Sequence, residues 1–180
     1  MSLTHSRSQL FAEVLEIFLT YKNILNDSSA ITPELRRKIE QSDLVKDIFA
    51  KQEKNGSWCS QGAWAMKAVM RKSGYTPVSP KYVTTSWILP ILGNLGYDFH
   101  DERIKKACEY ILSYQSDTGY IGEIKPSELK PNYDLTGNEP CRFSIILIAL
   151  SKVGAIEDAQ VKKAFNLLIN WQRDDGGWVS

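Results

Sequence analysis

The chain has 180 residues, 22 Lys and Arg against 21 Asp and Glu, a net charge of +1 and 43% hydrophobic residues. That size and apolar content suit one core-forming domain. The balanced charge, without a basic run, excludes the electrostatic footprint of a nucleic-acid binder. The longest apolar stretch, residues 144–150, is far shorter than the roughly 20 residues a membrane span needs. The N-terminus has no charged start followed by an apolar run and a small-residue cleavage site, so a cytoplasmic location is expected. Cys59, Cys108 and Cys141 form no Cys-x-x-Cys pair and are odd in number, which points to reduced thiols. With His5 and His100 as the whole histidine complement, histidine metal sites and Ser-His-Asp chemistry lack raw material, and no phosphate-cradling glycine loop is present.

Residues 10–25 carry Leu10, Phe11, Val14, Leu15, Phe18 and Leu19 at spacings of three and four, which predicts an amphipathic helix. A polar linker at 26–30 closes this N-terminal segment, and residues 31–180 form the repeat region. Thr32 as N-cap, Pro33 at the first helical position and Glu34 in the first turn announce the next helix. Its stripe of Leu35, Ile39, Leu44, Val45, Ile48 and Phe49 has a break near Ser42 and Asp43. Trp64, Ala65, Ala68 and Val69 mark a short helix closed by Gly74, and Pro77 and Pro80 bound a turn-rich connection. Residues 82–95 are apolar on most sides and predict a buried helix with a kink at Pro90. Residues 102–115 predict an amphipathic helix with Asp101 as its N-cap. The three prolines of residues 125–140 read as a long loop, after which residues 142–153 are again nearly all apolar and residues 158–171 amphipathic.

Each amphipathic helix runs into the same kind of heptapeptide. Gln172-Arg-Asp-Asp-Gly176-Gly-Trp178 is the fullest copy. Gln52-Glu-Lys-Asn-Gly56-Ser-Trp58 keeps its spacing, and Gln115 and Gly119 belong to a weaker copy that ends in Tyr120 and Ile121. The glutamines lie 63 and 57 positions apart, and Ser86 aligns with Ser144, Gly96 with Gly154, and Lys106-Ala107 with Lys163-Ala164. A buried helix followed by a half-exposed one, repeated at this period, predicts an all-α protein with inner and outer helix layers. Glycine permits the tight turn, the aromatic covers it, and the Gln amide can satisfy backbone groups at helix ends, so the motif reads as structural. Asp174 and Asp175 lie inside that turn and are not read as a catalytic acid.

These residues resemble the terpenoid-cyclase and protein-prenyltransferase superfamily, whose Gln-x-x-x-Gly-x-Trp repeats close into an α/α toroid. The stretches 81–87 and 101–110 are similar to its squalene-cyclase-like members. The resemblance implies an α/α toroid of helical hairpins, here a partial ring of three or four hairpins that continues beyond the sequence or pairs with another. It also implies a central cavity for an apolar, isoprenoid small molecule. Of the superfamily's chemical groups, the Asp-x-Asp-Asp acid of the cyclases is absent from the sequence. The prenyltransferase zinc set has its nearest analogue in Glu139-Pro140-Cys141, two ligands where zinc needs three or four, so no cofactor is expected.

In such a repeat, the inner-helix starts and the loops before them border the cavity. Tyr82, Trp87 and Asp134 are therefore ligand-binding candidates, and Glu139, Cys141 and Arg142 catalytic ones, with the reaction unassigned. The aromatics would offer apolar contact and cation–π attraction, or would simply be core. Cys141 would be a thiolate nucleophile at a helix start, or an ordinary buried thiol. Asp98, His100, Asp101 and Glu102 read as a capped loop rather than acid–base machinery. Beside the ligand-handling reading stands a non-catalytic helical scaffold or dimerisation module, with a homodimer covering an open inner face.

Overall fold

The computed structural model describes Glu16, Thr20 and residues 32–58, 84–122, 125–128 and 140–178. The expected helix at 10–25, the short helix around Trp64 and its following connection, and residues 129–139 of the long loop lie outside those residues. Six α-helices are described: α1 (Pro33–Glu40), α2 (Asp43–Ala50), α3 (Thr85–Asn94), α4 (Glu102–Leu112), α5 (Pro140–Lys152) and α6 (Ala159–Asn170). Short 3-10 turns occupy Pro126–Glu128 and Ala155–Glu157. Among the described residues there is no strand, and one isolated antiparallel bridge joins Gln115 to Ile121. The chain divides into two compact units, Met1–Lys51 with Asn94–Gly96, and Gln52–Gly93 with Tyr97–Ser180.

In the first unit, the Thr32 side chain accepts a hydrogen bond from the Leu35 amide at 3.2 Å and Pro33 opens α1. The expected break is a second cap. Ser42 Oγ accepts from the Val45 amide at 3.3 Å, which ends one helix and starts the next. Ile39 and Val45 are buried, but Leu44 is 45% exposed. The break explains Leu44: restarting the helix at Ser42 resets its register, so residues that would share a stripe along one continuous helix point apart.

The second unit stacks two kinds of helix. In α3 and α5, Leu89, Leu92, Phe143, Ile146, Leu147 and Leu150 are buried. These two helices meet backbone to backbone near their C-terminal ends, where a methyl group built on Gly93 would lie 2.5 Å from the Lys152 carbonyl oxygen. The Phe99 amide donates to the Val153 carbonyl at 2.8 Å, tying together the segments that follow α3 and α5. α5 starts at Pro140 rather than near Arg142, because proline suits the first helical position, where its missing N–H costs no helical bond. α4 ends at Leu112, three residues before the expected boundary, where Ser113 and Tyr114 tighten into the turn. Both amphipathic helices are capped alike: Asp101 Oδ1 accepts from the Arg103 amide at 2.9 Å, and Asp158 Oδ1 from the Gln160 amide at 2.8 Å. Ile104, Ala107, Val161 and Ala164 are fully buried on their inward faces. The Arg103 guanidinium, hydrogen-bonded to Asp101 at 2.6 Å, holds that carboxyl below its ordinary range.

Candidate functional site

Three turns share one hydrogen-bond plan. In each, the Gln side chain reaches four residues ahead: Gln52 Nε2 donates to the Gly56 carbonyl at 2.9 Å, Gln115 Nε2 to Gly119 at 3.1 Å and Gln172 Nε2 to Gly176 at 2.7 Å. The residue after each Gln donates its amide to the carbonyl five positions beyond the Gln, at 2.8 Å in Glu53 and Ser116 and 2.9 Å in Arg173. The glycines close the turns with φ of +89°, +101° and +83°, a left-handed conformation that side-chain-bearing residues adopt only with strain.

The first two turns also clasp a neighbouring helix. Gln52 Nε2 donates to the Arg103 carbonyl at 2.9 Å, and Gln115 Nε2 to the Gln160 carbonyl at 2.8 Å. Arg103 and Gln160 are the second residues of α4 and α6. The acceptors are therefore a turn glycine and an early helical carbonyl, not orphaned groups at a helix C-terminus. Trp58 is 3% exposed and its amide donates to Thr85 Oγ1 at 3.1 Å, which fastens the first turn to α3. In the second turn Ile121 takes the tryptophan's register and is 1% exposed, while Tyr120 packs on Phe143 and Trp171 with ring centroids 5.2 and 5.6 Å apart.

We expect Gln115→Ala to lower unfolding stability by about 2 kcal/mol, since it removes the two hydrogen bonds its Nε2 donates, worth about 1 kcal/mol each, while the exposed 3.3 Å bond its Oε1 accepts from Gln160 Nε2 adds little. Gln172→Ala removes one exposed bond and is expected to cost about half as much. Urea denaturation of the two variants checks the ratio.

The ligand-site candidates distribute unevenly. Tyr82, Asp134 and Glu139 lie outside the described residues. Trp87 is half-buried on α3, and Cys141 and Arg142 are exposed in the first turn of α5. Trp87 and Ile145 hold the same place in the repeat, one residue after Ser86 and Ser144. Around them each helix keeps an apolar strip that its packing leaves uncovered. On α3 the strip is Trp87, Ile88 and Ile91, with Ile91 43% exposed. On α5 it is Cys141, Ile145 and Ile148, with Ile148 53% exposed. Sequence reasoning treated these helices as buried all round and missed Ile91, Ile145 and Ile148. The signal was available in their spacing of three and four from Trp87 and Cys141, which places them on one side. Beside the strip on α3, Thr84, Thr85 and Ser86 are fully buried, and Thr84 Oγ1 and Ser86 Oγ have no hydrogen-bond partner among the described residues.

The other candidates for chemistry resolve into local structure. Asp98 Oδ1 accepts the His100 amide at 2.9 Å, and Asp101 caps α4, so this cluster orders a loop. Among the described residues no three His, Cys, Asp or Glu side chains gather as metal ligands. A groove of about 430 Å³ lies on the outer side of α6, lined by Thr118, Lys162, Lys163 and Asn166 among others, away from the apolar strips.

The two described cysteines differ in character. Burial, followed by the nearby charges of Asp158 and Glu109, pushes the Cys108 thiol up to about 12, whereas Cys141 is exposed. Thiolate is the reacting species. Iodoacetamide at pH 8 should therefore modify Cys141 within minutes and leave Cys108 intact in the folded protein, as peptide mapping by mass spectrometry will show. Prior unfolding should expose both.

Capped helical hairpins joined by Gln-to-Gly turns define an all-α repeat protein. Residues 35–180 match the squalene-hopene cyclase C-terminal domain, and the chain belongs to that family, whose fold is an α/α toroid. A probable squalene–hopene cyclase of Sinorhizobium fredii (strain NBRC 101917 / NGR234) is similar, 28% identical over 133 residues, covering 71% of this chain and 18% of that protein. The chain therefore spans less than a fifth of that relative's length. No helix among the described residues is long and apolar enough to cross a membrane.

Proposed function

We propose that this chain is a cytoplasmic, squalene-cyclase-like and prenyltransferase-like hairpin protein that holds an apolar, isoprenoid small molecule against the uncovered strips of α3 and α5. The observation that carries this reading is the exposure of Ile91 and Ile148, at 43% and 53%, on two helices whose other aliphatic side chains are largely buried. Moving such a side chain from water to an apolar contact is worth about 1.5–3 kcal/mol, so a ligand lying along both strips has a driving force without any charged contact. Trp87 adds an aromatic face beside Ile91, suited to the stacked methyl-branched units of an isoprenoid. Family membership supports the ligand class, and the Sinorhizobium relative, a probable squalene–hopene cyclase, fits it. Binding is the role proposed here, and no reaction is assigned to it.

The test is a thermal-shift series with farnesyl diphosphate, geranylgeranyl diphosphate and detergent-solubilised squalene, paired with native mass spectrometry. A saturable rise in melting temperature, lost in Ile91→Asp and Ile148→Asp, is expected. No shift and no retained mass with all three probes would remove the reading. The alternative, a non-catalytic helical scaffold, draws on a different feature, the solvent-facing third turn. It would gain if these ligands failed while a protein partner bound.

A further inference from the structure

Three consecutive hydroxyls stand at the head of α3, and they are not used alike. Thr84, Thr85 and Ser86 are all fully buried. Thr85 Oγ1 accepts the Trp58 amide at 3.1 Å, whereas Thr84 Oγ1 and Ser86 Oγ have no hydrogen-bond partner among the described residues. Thr84 is the more telling of the two, because its place is that of a helix cap. It stands immediately before α3, and its carbonyl accepts the Trp87 and Ile88 amides at 2.9 and 3.1 Å. At the starts of α1, α2, α4 and α6, a side-chain oxygen of Thr32, Ser42, Asp101 or Asp158 turns back to accept a first-turn amide. Thr84 Oγ1 does not, and α3 has no acidic residue in its first turn to do so instead. The Thr85 and Ser86 amides precede the first bonds within the helix, so this N-terminus presents outward donors with a buried hydroxyl beside them, a group costly to hold unbonded away from water.

The uncovered strip of α3 leads to this point. Thr84 lies three, four and seven positions before Trp87, Ile88 and Ile91, which is the spacing of one helix side. Exposure falls along that side: Ile91 is 43% exposed, Ile88 and Trp87 are half-buried, and Thr84 is 0% exposed. The strip is therefore open to water at its Ile91 end and closed at its hydroxyl end. The strip of α5 has no such end, since it begins at the exposed Cys141.

We propose that the head of α3 is a polar subsite for a neutral oxygen at one end of the ligand, so that the molecule held along Trp87, Ile88 and Ile91 is an isoprenoid alcohol. This inference rests on the isoprenoid reading and adds to it the head group and its direction. An alcohol answers the site in both senses, because its oxygen accepts from the outward amides while its O–H donates to Thr84 Oγ1. A hydrocarbon leaves Thr84 unbonded. A diphosphate would carry its charges to a fully buried place on a segment, residues 84–94, that contains no Lys or Arg.

The test compares three probes of one carbon skeleton on the full chain in matched detergent, read by tryptophan fluorescence titration: geranylgeraniol, the same hydrocarbon without its hydroxyl, and geranylgeranyl diphosphate. Geranylgeraniol should bind roughly tenfold more tightly than the hydrocarbon, and more tightly than the diphosphate. Thr84→Val keeps the shape and removes the hydroxyl. It should bring the alcohol to the hydrocarbon's affinity, leave the hydrocarbon's own affinity unchanged, and leave the melting temperature of the free chain unchanged or raised. That last readout separates a ligand contact from a structural one, since a hydroxyl bonded within the fold lowers the melting temperature when it is lost. Thr84→Ser should keep the preference for the alcohol. Equal affinities for alcohol and hydrocarbon, tightest binding by the diphosphate, an alcohol preference that survives Thr84→Val, or a lowered melting temperature in that variant overturns the subsite while the isoprenoid reading stands. Failure of all three probes to bind removes that reading and the subsite with it.

Discussion

Gly56→Ala should destabilise the protein by at least about 3 kcal/mol, while the same substitution at Gly176 should cost only about 1 kcal/mol. Both glycines hold nearly the same backbone angle, with φ of +89° and +83°, so the intrinsic strain of placing alanine there is common to the pair. The difference lies across the turn. At Gly56 the new methyl group would sit 2.5, 2.6 and 2.9 Å from Lys106 O, Lys106 C and Ala107 N, all of them helix backbone atoms that cannot swing aside. Relief would require the turn and α4 to separate, breaking the bond from Gln52 to Arg103 and uncovering Trp58. For a domain of 150–250 residues each kcal/mol shifts the melting temperature by roughly 2–4 °C. A scanning-calorimetry gap of about 4–8 °C between the two variants is therefore expected. Equal melting temperatures would show that α4 is not held against the first turn.

Gly93→Ala separates packing from backbone strain more cleanly. Gly93 is an ordinary helical residue of α3, and in an exposed helix alanine would stabilise by about 1 kcal/mol. Here the methyl group would meet the Lys152 carbonyl oxygen at 2.5 Å and its carbon at 2.8 Å, where α3 and α5 touch. Overpacking of a close-packed contact costs about 1–3 kcal/mol and more where backbone must move, so the collision outweighs the helix preference. We expect a net loss of about 2 kcal/mol in urea denaturation. Gly154→Ala is the converse case, backbone strain without a neighbour, since its φ is +76° and nothing lies within 4 Å of a methyl group built there. An increase in stability for Gly93→Ala would mean that α3 and α5 stand further apart.

The helical class, the hairpin repeat and most of the caps were legible in the sequence because they are written in short-range code. Thr32, Asp101 and Asp158 announce helix starts by a side-chain oxygen within three residues of the amide it accepts from, and Gln-x-x-x-Gly announces its turn by its own spacing. The early start of α5 was hidden by Pro140, whose double use as loop breaker and first helical residue cannot be decided without its surroundings. Leu44 was placed on the apolar stripe because one hydroxyl, Ser42 Oγ, decides whether the helix runs through or restarts. The clasp between Gln52 and Arg103, or Gln115 and Gln160, was illegible. Nothing local to a glutamine records which of its amide hydrogens serves a residue some fifty positions away. The uncovered strips of α3 and α5 were equally hidden, since periodicity reveals apolar faces but not which of two such faces is packed.

The two clasps also act as a ruler. Asp101 and Gln115 are fourteen positions apart, as are Asp158 and Gln172, so the outer rod between cap and turn has one fixed length. The return path does not: Gln52 and Arg103 are 51 positions apart, and Gln115 and Gln160 are 45 apart, yet the bond lengths differ by only 0.1 Å. Growth or shrinkage of the sequence is thereby confined to the path from one turn to the next cap, where it leaves the spacing of neighbouring rods untouched. A chain built this way can be lengthened between Ile121 and Pro140 while each outer helix still starts under the same glutamine.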